Sequence, residues 1–119
     1  MNPKLFVQAI KLVVAQHAAK AVLGQLESPS GRQPPEEVEK RSERFHAFND
    51  EEKKFIEQVV SISAEQAAYN FLCVLDGISF IEDDIKKGLL QLYYVKDGKS
   101  ALLNSEEDIE LTSLYKSIK

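Results

Sequence analysis

The 119-residue chain is 44% hydrophobic and 29% charged, a balance that suits one soluble domain spanning residues 1–119, with a core burying roughly 65% of the unfolded surface. A net charge of −4 excludes the basic footprint of a duplex nucleic-acid binder. A single cysteine excludes an internal disulfide, so a reducing, cytoplasmic setting is the expectation.

The charge is uneven: residues 1–48 carry +2 and residues 49–119 carry −6, which makes the C-terminal part the acidic part. Asn2-Pro3 opens the first element, an N-cap followed by proline where its missing N–H is harmless, and a helix over 3–25 follows. Its polar face moves: Lys4, Gln8 and Lys11 share one side, whereas Gln16, His17 and Lys20 project from nearly the opposite side at ~100° per residue. Neighbours must then cover different faces of its two halves. The apolar run LFVQAIKLVVAQHAAKA follows a lysine and holds an Ala-x-Ala at 19–21, as a secretory signal would. Gln8, Lys11, Gln16, His17 and Lys20 interrupt it, so neither secretion nor a membrane span is expected.

ESPSGRQPP at 27–35 reads as a flexible exposed loop. The segment at 35–48 reads as a short charged helix anchored by Val38, Phe45 and Phe48. Asn49-Asp50-Glu51-Glu52 then caps a third helix that runs to about Leu75, where Asp76-Gly77 stops it. Ile56, Val60 and Ala67 mark its apolar side, and Lys54, Gln58, Ser61 and Glu65 its polar side. Past Gln66 the polar face vanishes and Leu72 falls on the old polar stripe, so the last turns are expected to be covered on all sides. The β-rich LLQLYYV at 89–95, the hairpin pair Asp97-Gly98 and a return strand at 100–104 follow. A terminal helix over 106–118, capped by Asn104 or Ser105, carries Leu111, Leu114, Tyr115 and Ile118 at helical spacing.

The fold class is therefore α+β in the order α-α-α-β-β-α: a three-helix bundle, a two-stranded antiparallel hairpin and a C-terminal helix, packed around Phe71, Leu75, Leu92 and Leu114.

No compact catalytic signature is present: there is no phosphate-binding glycine loop, no dinucleotide fingerprint and no nucleophile elbow. Cys73 lies among apolar neighbours near a helix C-terminus, away from any activating cation, and reads as buried and inert. His17 and His46 lie on different helices without metal-ligand spacing. Asp76, Glu82, Asp83 and Asp84 do not match the calcium-loop spacing, and no cofactor or metal is implied. Asn70 shares a stripe with Ile56, Val60 and Val74, so a buried amide tying its helix to a loop is expected there. Tyr93 and Tyr94 point to opposite sides of a strand, leaving one for a partner.

Four segments, YNFLCVLDGISFIEDD, LLQLYYV, LLN and IELTSLY, resemble small uncharacterised bacterial proteins in which a helix ending Leu-Asp-Gly precedes a hairpin and a terminal helix; the likeness covers residues 55–116. Some of those proteins are thought to be immunity or accessory proteins of toxin systems. This chain has Leu103-Asn104-Ser105 and Leu111-Thr112-Ser113-Leu114 where the pattern often reads Leu-Asn-Asp and Leu-His-Asp-Leu, so no functional residue carries over.

The function expected from these features is a non-catalytic protein-binding module, immunity-like, with a protein partner that includes a second copy of itself. Tyr93, Tyr94, Asp83 and Asp84 are the candidate contact residues, and the open hairpin edge suggests a two-fold homodimer. Nucleic acid and membrane are not expected partners. The alternative is a small metal-assisted hydrolase using the acids near Gly77 and before Leu111.

Overall fold

The computed structural model describes residues 1–119 and gives four helices and one two-stranded antiparallel sheet, helices first. Helix α1 spans Pro3–Glu27, α2 Glu36–His46, α3 Asp50–Leu75, and α4 Leu111–Lys116. Strands β1, Tyr93–Lys96, and β2, Lys99–Leu102, form the hairpin. The α+β class and the element order match the sequence expectation.

Helix α1 begins as its capping residues dictate, with Asn2 Oδ1 accepting from Leu5 N at 2.8 Å and Pro3 in the first turn. Its middle, Ile10–Gln16, is π-helical. An i→i+5 ring holds one residue more than an α-turn, so it turns the following stripe back by about one residue, ~100°. That rotation aligns Val7, Ala15 and Ala19, all buried, although the first two are eight residues apart. The moving polar face in the sequence thus has a structural counterpart: the helix changes phase where its amphipathic pattern does.

The last carbonyls of α1 find donors on α2. Ser42 Oγ donates to Leu26 O at 2.8 Å, and His46 Nε2 lies 2.6 Å from Glu27 O; because a carbonyl only accepts, that nitrogen carries the proton. Phe45 is buried, with Val38 and Phe48 half-buried, so the three expected anchors hold α2. Helix α3 opens with a full capping box between Asn49 and Glu52, which satisfies two orphan N–H groups reciprocally. It closes at Gly77, whose φ of 77° is the left-handed geometry that glycine adopts without a Cβ penalty. Ile78 N then returns to Cys73 O at 2.9 Å.

The main core cluster joins Val7 and Ala15 of α1, Ala68, Leu72 and Leu75 of α3, and Leu111 and Tyr115 of α4. Leu72 is fully enclosed, as expected from its place on the old polar stripe, and Leu75 belongs to the core. Leu92 and Leu114 pack against it half-buried, but Phe71, expected at its centre, is 55% exposed. The reason is the side on which α1 docks. Lys11 is ion-paired with Glu65 at 3.4 Å, and Ser61 and Glu65 line one crevice with Ala15, Ala19 and Leu23. Helix α1 therefore covers the side of α3 that carries Ser61 and Glu65; on the expected apolar side Ile56 and Val60 are half-buried, and Ala67 and Phe71 are left outward.

Burial falls short of the expected 65%. The accessible surface is 9034 Å², whereas an extended chain of 13.4 kDa exposes about 19,400 Å², so folding removes only about 53% of it.

Candidate protein interface

Three regions around the end of α3 bear on function: a polar joint that holds the C-terminal third in place, an exposed acidic loop, and the uncovered face of α3 itself.

The joint is built from Asp76 and Asn104. Asp76 sits at the C-cap of α3, and its carboxylate turns toward the start of α4: Oδ1 accepts from Leu111 N at 3.0 Å and Oδ2 from Thr112 N at 2.9 Å. Those amides are among the orphan donors of a helix start, where a negative charge is favoured. Asn104 clamps three backbone groups, its Nδ2 donating to Leu75 O and Leu90 O and its Oδ1 accepting from Leu92 N, all at 2.8 Å. Three sequence expectations are corrected here. Neither Asn104 nor Ser105 caps the last helix, which begins at Leu111 rather than 106 because its cap comes from Asp76. The first strand begins at Tyr93 rather than 89, and the second ends at Leu102, because the Asn104 amide takes the backbone groups of Leu90 and Leu92 that a longer ladder would use. Asn70, expected to be the buried tying amide, is exposed and accepts from Gln66 Nε2 at 2.8 Å; Asn104 does that work. Its signal in the sequence was an asparagine at the end of the expected return strand, which reads equally well as a cap.

Residues 77–91 carry no regular strand or helix and are exposed throughout. Glu82 Oε1 accepts the Gly88 N–H and so closes the loop, leaving a cleft of about 390 Å³ lined by Asp76, Phe80, Glu82, Lys87, Leu90 and Glu106 among others. Asp83 and Asp84 are exposed and make neither of the two ion pairs in the chain, Lys11–Glu65 and Lys40–Glu36. Lys86 and Lys87 follow directly, which dilutes the acidic field at this point. Apolar side chains share the loop, with Ile78, Phe80, Ile81, Ile85, Leu89 and Leu90 all open to solvent. Nowhere do three His, Cys, Asp or Glu side chains converge as metal ligands would.

In the hairpin, Tyr93 pairs with Leu102 and Lys96 with Lys99, and Asp97 and Gly98 both take positive φ, 53° and 74°, as a type I′ turn requires. Tyr93 is exposed and Tyr94 half-buried, so one tyrosine faces outward. Cys73 is buried.

The uncovered face of α3 was not read as a site from the sequence. Phe55, Val59, Ser63, Ala67 and Phe71 occupy five successive positions of one i,i+4 row, and all five are exposed. Ile62, 66% exposed, flanks them. Only Glu57 and Glu65 carry charge between Phe55 and Phe71, and both lie off the row, Glu65 bound to Lys11 and Glu57 in a patch with Lys54 and Ser61. Beyond Ile62, a shallow pocket of about 290 Å³ is bordered by Lys11, Glu65, Gln66, Tyr69, Tyr115 and Lys116. The Tyr115 hydroxyl is buried without a hydrogen-bond partner, and burial first, then the Glu65 charge, raises its pKa above the usual tyrosine value.

Comparison with protein-family models, with curated proteins and with solved structures finds no match to this chain.

Proposed function

We propose that this chain is a non-catalytic protein-binding module, immunity-like in that its work is to hold another protein, and that it is completed by the partner it binds. The observation that carries this reading is the area left open. A compact monomer of 13.4 kDa exposes about 6,500 Å², so the 9034 Å² of this chain exceeds it by roughly 2,500 Å². A Cα radius of gyration of 18.4 Å, against about 13.5 Å for a compact domain of this length, points the same way. Exposed apolar side chains gather on the 77–91 loop at Ile78, Phe80, Ile81, Ile85, Leu89 and Leu90, and exposed apolar patches mark interaction surfaces. Asp83, Asp84 and Tyr93 are exposed and Tyr94 half-buried, and they are the polar and aromatic side chains this reading assigns to the partner contact.

The metal-assisted hydrolase is the weaker reading, because both Asp76 oxygens are taken up by the α4 amides and the remaining acids do not converge. Helix α1 has the length and mean hydropathy, 1.3 over eighteen residues, to cross a membrane by those measures alone. Its Val7 and Ala15 lie in the core and its Lys11 bonds to α3, which supports a helix packed on the fold, with 17% of that window buried.

A photo-reactive residue placed at Ile85 or at Tyr93 in living cells tests the reading. A discrete adduct with a second protein is expected, reduced by Asp83→Asn with Asp84→Asn; the absence of adducts at both positions contradicts a heterologous partner on this surface.

A further inference from the structure

We infer that the pocket where α1, α3 and α4 meet binds a small organic monocarboxylate, its carboxylate held by Lys11, Lys116 and the Tyr115 hydroxyl. The site shares no residue with the 77–91 loop and goes beyond the binding-module reading.

Lys11 belongs to the π-helical stretch of α1, a geometry frequent at functional sites, and it faces α3 and α4 rather than solvent. Its Nζ lies 3.4 Å from Glu65 Oε1 and 5.1 Å from the centre of the Tyr115 ring, and its side chain is only 20% exposed. From α4, Lys116 Nζ lies 5.0 Å from the centre of the Tyr69 ring. The two rings are 6.3 Å apart, centre to centre, so both ammonium groups border one space of about 290 Å³.

Tyr115 contributes to the wall of that space, is 6% exposed, and has a hydroxyl without a hydrogen-bond partner. Buried polar groups are almost always paired, so an orphan calls for an explanation. Burial first, then the Glu65 charge, raises its pKa, which keeps the phenol a donor at neutral pH. Lys11 and Lys116 are donors themselves, and Glu65 is turned to Lys11. A carboxylate supplies what the pocket lacks, two acceptor oxygens for donors already gathered, each reached at about 2.8 Å. Lys11, the flexible side chain that lies over the ring, turns toward the anion on binding and gives the hydroxyl its access.

Charge and shape decide the ligand class. Around the pocket two lysines against one glutamate leave +1, which suits a monoanion, and Glu65 opposes a second negative charge. Lys116 makes neither of the two ion pairs in the chain, so its charge is open to a ligand. Ile62, Ile118 and the tyrosine rings give the body of the acid an apolar wall. Ligand pockets span about 300–1,000 Å³, and a volume at the lower end limits that body to a single ring or a short chain.

Benzoate titrated into the isotope-labelled full chain, followed by backbone amide chemical shifts, tests the site. Saturable shifts are expected at Lys11, Glu65, Tyr69, Tyr115 and Lys116, with benzamide, the neutral isostere, binding about tenfold more weakly. Tyr115→Phe, which removes only the orphan hydroxyl, and Lys116→Met should each weaken benzoate about tenfold while the rest of the amide spectrum is preserved. Shifts that do not saturate, equal affinity for benzamide, or an affinity unchanged by either substitution overturns the inference.

Discussion

Asp76 Oδ2 accepts the backbone N–H of Thr112 at 2.9 Å across 36 positions of chain, so the residue that ends α3 also starts α4. One carboxylate thereby fixes the C-terminal helix on the long helix, and the core contacts of Leu111 and Tyr115 follow from that placement.

Asp76→Ala should therefore destabilise the protein by about 1–3 kcal/mol, since charge-assisted bonds to helix-start amides are lost together. Urea unfolding followed by circular dichroism checks this, and a midpoint equal to wild type would show that the cap is dispensable.

Asn104→Ala leaves Leu92 N and the carbonyls of Leu75 and Leu90 without their side-chain partner. A loss of about 1–3 kcal/mol is expected, with Asn104→Asp no better, because a carboxylate cannot donate to two carbonyls. Thermal melting of both variants supplies the comparison.

Tyr115→Phe should be neutral or stabilising by up to about 1 kcal/mol, because it removes a buried hydroxyl that has no partner. The same variant has a pH signature. The folded-state pKa of Tyr115 lies above the value of 10.0 for a free tyrosine, so folding favours the protonated phenol. That contribution is complete below pH 10 and is lost as pH rises through the raised folded value. Wild type should lose stability in that alkaline window more steeply than Tyr115→Phe, as unfolding at stepped pH would record.

Cys73, 8% exposed, should react with a thiol reagent far more slowly in the native protein than in urea. Labelling at the rate of a free thiol under native conditions would place it on the surface instead.

Local signals in this chain were legible because they act over a few residues: Asn2-Pro3, the Asn49–Glu52 capping box, the Gly77 stop and the Asp97-Gly98 turn each decide their own backbone. The class and order of elements follow from them. What sequence spacing alone did not show were choices made by distant partners. The periodicity of α3 identifies an apolar side at Ile56, Val60 and Ala67, and burial on that side is the ordinary outcome. The pairing of Lys11 with Glu65 and the small residues Ala15 and Ala19 draw α1 onto the other side, so Ile56 and Val60 are only half-buried and Ala67 and Phe71 are left in solvent. Asp76 and Asn104 were likewise visible as residue types, but their hydrogen-bond partners lie up to 36 positions away.

Hydroxyl-radical footprinting of the protein in cells and after purification tests the central claim most directly, because it reports side-chain accessibility at Phe80, Ile85 and Tyr93. The account predicts slower oxidation at all three in cells, where the partner is present, than in the purified chain. Equal rates in both settings, as expected if these residues stay 62%, 102% and 51% exposed, would contradict it.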